Sequence, residues 1–101
     1  IMASKRNLKK DIDNLIYEIV ADCYSYMELY PQADHKPVKE MAEKAFDLQD
    51  DTLTKINMHK GSEDSKETRK FFNEIKTEFI DQANKMFSEL DELYKSQEDK
   101  K

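Results

Sequence analysis

The side chains of this sequence best suited to nucleophilic or metal chemistry are one cysteine, Cys23, and two histidines, His35 and His59. An imidazole within reach of Cys23 would take the thiol proton and create a thiolate nucleophile. Cys23, however, recurs with Ile19 and Met27 at helical spacing, the setting of a buried thiol that acts as a small apolar side chain. One cysteine forms no internal disulfide and cannot supply the several thiolates of a structural zinc site. Glu40, Glu43, Asp47 and Asp50 recur every three or four positions and form one acidic ridge. Such a ridge could meet a basic partner or a hard divalent cation, but oxygen sites need ligands that converge from several directions, so a solvated face is expected. There is no Glu-x-x-His pair, no glycine-rich phosphate loop, no H-E-x-x-H and no G-x-S-x-G. The expectation is therefore a non-enzymatic chain with no catalytic residue, no cofactor and no metal.

These side chains must be positioned by three apolar stripes, each repeating at about 100° per residue. The first is Leu8, Ile12, Leu15, Ile16, Ile19, Cys23, Tyr26, Met27 and Tyr30; Pro31 disfavours the α conformation before it and ends the helix. PQADHKP then reads as a loop, with Asp34 a candidate N-cap and Pro37 in the first turn. The second stripe is Val38, Met41, Ala42, Ala45, Phe46, Leu48, Leu53 and Ile56, closed by Gly61, with Ser62 as the next cap. The third runs from Phe71 and Phe72 through Ile75, Phe79, Ile80, Ala83, Met86, Phe87, Leu90 and Leu93 to Tyr94. Helices are expected at about 5–30, 37–60 and 63–95, with a disordered tail at 96–101, all within one domain spanning 1–101. Stripes of matched length joined by short connections predict an all-α, antiparallel up-down-up three-helix bundle.

That topology would gather positive charge at one end, where Lys5, Arg6, Lys9 and Lys10 meet Lys55, Lys60, Lys66, Arg69 and Lys70. The alternative function it raises is a binder of nucleic acid or another polyanion. A net charge of −5 argues against nucleic acid in general.

The first helix is also wider than a bundle of three requires. Tyr17 and Tyr24, beside Val20 and Ala21, extend its apolar surface past the main stripe. Tyrosine combines a large apolar ring with a polar tip and is enriched where partners meet, so Tyr17, Val20, Ala21 and Tyr24 are the candidate interface. Gln49 and Thr52 fall within the second stripe and Lys76 within the third; Gln49 is expected to bury its stem while its amide reaches water at the bundle edge, with a role in setting helix register as the alternative, and Lys76 is expected to snorkel. A small-ligand pocket near Gln49 and Cys23 is a third reading.

Charged residues form 39% of the chain and glycine occurs once, which opposes a β-rich fold with tight hairpins. No apolar run nears the ~18 residues of a membrane span, and the first ten residues lack a signal's apolar block. A cytoplasmic, reducing setting suits the lone cysteine. The stretch MASKRNLKKDIDNLIYEIVADCYSYMELYP resembles small uncharacterised bacterial all-helical proteins over about the first third of the chain. That resemblance carries no functional motif and implies a bacterial cytoplasmic origin. The expected function is protein–protein association, with a protein partner or a second copy in a homodimer, and no membrane contact.

Overall fold

The computed structural model describes residues 5–59 and 65–99. They form three α-helices with no strand among the described residues: α1 Lys5–Leu29, α2 Lys36–Met58 and α3 Ser65–Glu98. Each helix packs against the other two, and the assembly is a rod of 58 × 18 × 18 Å. Among the described residues no helix is long and apolar enough to cross a membrane.

Spacings of three and four alternate along each stripe, so one face of every helix stays turned to the axis. Ile12, Ile16, Ile19, Cys23 and Tyr26 from α1 meet Val38, Ala45 and Ile56 from α2 and Phe79, Ala83 and Leu90 from α3 in a single buried core. Each large apolar side chain removed from water there contributes about 1.5 to 3 kcal/mol. Tyr26 is the bulkiest fully buried side chain among the described residues.

Local chemistry and tertiary contacts together set the helix ends. The Tyr30 amide still donates to the Tyr26 carbonyl at 3.0 Å, and Ala33 N–H then bonds Tyr30 O, turning the chain at Pro31. Helix α2 starts at Lys36, one residue before the expected position. His35 occupies the N-cap without a side-chain cap bond, while the Asp34 carboxylate accepts from the Lys36 amide at 3.0 Å. At the other end α2 stops at Met58, before the expected 60, because His59 is extended (φ −71°, ψ 121°). Its ring stacks on Phe71 with centroids 4.2 Å apart, a tertiary contact that competes with another helical turn. Lys60 and the expected stop and cap at Gly61 and Ser62 lie outside the described residues.

Helix α3 is longer than its stripe. Its 34 residues span about 51 Å at 1.5 Å per residue, and polar turns precede Phe71 and follow Tyr94. The expected tail at 96–101 is thus helical as far as Glu98. Lys, Ser, Gln and Glu tolerate helix without burial, and Asp91 pairs with Lys95 at 3.2 Å one turn apart. Phe46, expected in the core, is 50% exposed. It stands about 100° from the centre of the α2 core face, beyond the angle that two neighbouring helices cover.

Candidate functional site

Each histidine ends in an aromatic cluster of its own. His35 Nε2 lies 2.9 Å from the Tyr30 carbonyl, and its ring meets Tyr26 edge-on at 6.5 Å. Tyr26, Tyr30 and Tyr94 pack mutually with centroids 5.3 to 6.0 Å apart. The Tyr94 hydroxyl donates to the Asp22 carbonyl at 2.9 Å, tying the last turns of α3 to α1. Burial raises the Tyr94 phenol above the usual tyrosine range, and the Asp22 carboxylate adds to the shift. Cys23 is fully buried. Desolvation first, then Asp22, pushes its thiol up to about 11, so it is protonated and inert at neutral pH.

His59 closes a second cluster. Besides its stack on Phe71 it meets Phe72 at 5.3 Å, and its Nε2 is buried with no hydrogen-bond partner among the described residues. Lys5 Nζ donates to the His59 carbonyl at 3.4 Å, so the start of α1 lies beside the end of α2. Lys5 of the basic set is committed to that contact. Arg6, Lys10, Lys66, Arg69 and Lys70 are exposed and Lys9 is half-buried, while Lys60 lies outside the described residues. Glu67 and Glu74 interleave with the cations of α3 and are exposed with them.

Gln49 Nε2 donates to Asp13 Oδ1 at 2.7 Å, bridging α2 to α1. This bond identifies the flank of α1 that faces α2. Tyr17 follows Asp13 by one turn and Tyr24 by three, so on a helical projection both fall within about 40° of Asp13. On α2, Phe46 precedes Gln49 by one turn and lies within about 60° of it. Both steps lead away from the Lys5–His59 contact, which brings Tyr17 and Phe46 to the same level. Tyr17 is 74% exposed and Tyr24 57%. Three exposed rings thus flank the α1–α2 seam.

Within the expected interface the structure separates the residues. Ala21 is half-buried, but Val20 is 8% exposed and belongs to the core. It sits on the edge of the flank nearest the axis, within the core cluster. Phe46 takes its place in the exposed surface. Sequence periodicity counted Phe46 in the stripe, and only the angular position of α1 reveals that it lies outside.

The acidic ridge of Glu40, Glu43, Asp47 and Asp50 is exposed throughout. Among the described residues no group of three His, Cys, Asp or Glu side chains is placed to hold a metal ion. A shallow groove of about 280 Å³ runs between α2 and α3, floored by Leu48, Thr52, Ile75, Phe79 and Met86. Neither Gln49 nor Cys23, the expected lining of a ligand pocket, contributes to it. The chain matches no protein-family model, no curated protein and no solved structure.

Proposed function

We propose that this chain acts by protein–protein association rather than catalysis, through the α1–α2 face that carries Tyr17, Ala21, Tyr24 and Phe46, with a second copy of itself as the partner. One observation carries the reading. Three large aromatic rings, each at least half exposed, are gathered on one flank although the core needs none of them. Single exposed apolar side chains are ordinary on a monomer, whereas several large ones on the same face point to an interaction surface. Two tyrosines and a phenylalanine also bring large contact area with few rotatable bonds to immobilise.

The non-catalytic part of the proposal draws support from the state of the reactive groups. The Cys23 thiol is buried and protonated, the His35 ring is held at the Tyr30 carbonyl, and His59 is stacked on Phe71 and meets Phe72 edge-on. The up-down-up order belongs to the same proposal. Contacts of Lys5 with His59, Asp13 with Gln49 and Tyr94 with Asp22 support it. A cytoplasmic setting is part of the reading too, supported by the single cysteine kept as a free thiol.

Sedimentation equilibrium over a wide concentration range tests the association. The mass is expected to climb toward two chains, and Tyr17→Ser with Tyr24→Ser is expected to hold it at one. A wild-type mass that stays at one chain at millimolar concentration overturns the second copy as partner.

A further inference from the structure

We infer that two copies meet face to face and antiparallel, α1 against α1 and α2 against α2, with Lys10 of each facing Glu28 of the other and Lys39 of each facing Asp50 of the other. This rests on the association reading above and assigns it a geometry. The charges that bracket the aromatic strip carry it. Lys10 and Glu28 are five helical turns apart, about 27 Å, and on a helical projection both stand within about 40° of Tyr17 and Tyr24. On α2, Lys39 and Asp50 bracket Phe46 in the same manner, about three turns apart. All four are exposed, and none pairs with a side chain among the described residues of its own copy.

A two-fold axis lying in the face and crossing the helices exchanges the ends of each strip, so Lys10 meets Glu28 and Lys39 meets Asp50. The same axis serves both helices. The midpoint between Lys10 and Glu28 falls at Ile19, and that between Lys39 and Asp50 falls beside Lys44. Measured from the Asp13–Gln49 bond, the two midpoints lie within about 2 Å along the rod. A two-fold parallel to the helices would instead set Glu28 against Lys39 about 7 Å out of level. The antiparallel arrangement is therefore the better fit.

The area is sufficient as well. A strip about 27 Å long across a rod 18 Å wide covers on the order of 500 Å² per copy, close to half of the ~1,000 Å² total that marks the lower bound of a specific interface. The expected dimer is accordingly reversible.

The test is sedimentation equilibrium on the full chain for wild type, Lys10→Glu, Glu28→Lys and the double variant. Circular dichroism would check that each stays folded, as exposure of both positions predicts. Each single reversal places like charges opposite one another at both ends of the strip and is expected to weaken the dimer about five- to tenfold. The double variant exchanges the signs and is expected to return to within about threefold of wild type. A double variant weaker than either single overturns the antiparallel arrangement. In the parallel two-fold the carboxylate introduced by Lys10→Glu faces Asp50 and the ammonium introduced by Glu28→Lys faces Lys39, so the two reversals would compound instead of cancelling. In that case the wild-type dimer, with its sensitivity to Tyr17→Ser and Tyr24→Ser, leaves the association reading intact. A monomeric wild type overturns both.

Discussion

Gln49 and Asp13 are joined across the α1–α2 seam by an amide-to-carboxylate hydrogen bond of 2.7 Å. Apolar contacts slide with little penalty, whereas this bond forms at one helix offset only, so it specifies register. A bond to a charged acceptor contributes more than a neutral one. Gln49→Ala is expected to lower unfolding free energy by about 1 kcal/mol, and the double-mutant cycle with Asp13→Ala to return a coupling of about 0.5 to 1 kcal/mol. Urea denaturation of the four proteins measures it. Additive effects would mean that the bond does not persist in solution.

Alkaline pH should loosen the bundle through Cys23 and Tyr94. Both groups hold their protons more tightly folded than unfolded, since burial raises both. The unfolded chain therefore releases them first. The stability linked to Cys23 is fully present below pH 9 and declines as pH climbs through about 11. Cys23→Ala should flatten that part of the profile, although its baseline falls by on the order of 1 kcal/mol for the lost volume. Unfolding free energies measured between pH 7 and 11 decide this, and a thiol that alkylates in the native protein at pH 8 as fast as in urea would contradict it.

His59 combines a favourable stack with an unfavourable buried nitrogen. Replacing it by leucine keeps apolar contact with Phe71 and Phe72 and deletes the unpaired atom. His59→Leu is expected to be neutral or up to about 1 kcal/mol more stable, while His59→Asn, which loses the stack and keeps polar atoms, should cost about 1 kcal/mol or more. Thermal midpoints of the two variants give the comparison.

The exposed rings should matter little to folding. Tyr17→Ser and Phe46→Ser are each expected to change the stability of the monomer by no more than about 0.5 kcal/mol at low protein concentration, whereas Tyr26→Ala in the core should cost about 3 to 5 kcal/mol. Denaturation at dilutions where only one chain is present isolates this effect. A large loss at Tyr17 would assign the ring to the fold instead of to a partner.

How far the sequence could be read depended on whether the deciding interaction was local. The core face of α1 was legible because Ile12, Ile16, Ile19, Cys23 and Tyr26 lie within neighbouring turns, and burial of that face follows from spacing alone. Phe46 was not, since its exposure depends on where α1 stops covering the flank of α2. Val20 misled in the opposite direction for the same reason. The end of α2 was set by Phe71, beyond the next connection. Asp13 and Gln49 are separated by 36 positions, and neither carries a local mark of the other. The extent of α3 escaped the stripe because a polar helix turn needs no apolar residue.

A rod of 58 × 18 × 18 Å experiences more hydrodynamic drag than a sphere of equal mass. A single chain of this shape tumbles slowly and elutes early from a sizing column, where a globular calibration would read it as a larger species. Rotational correlation times and elution volumes thus mix elongation with association. If two rods lie side by side with their ends staggered, the pair thickens more than it lengthens. Its frictional ratio should then fall below that of one chain, so association would round the particle as well as double it.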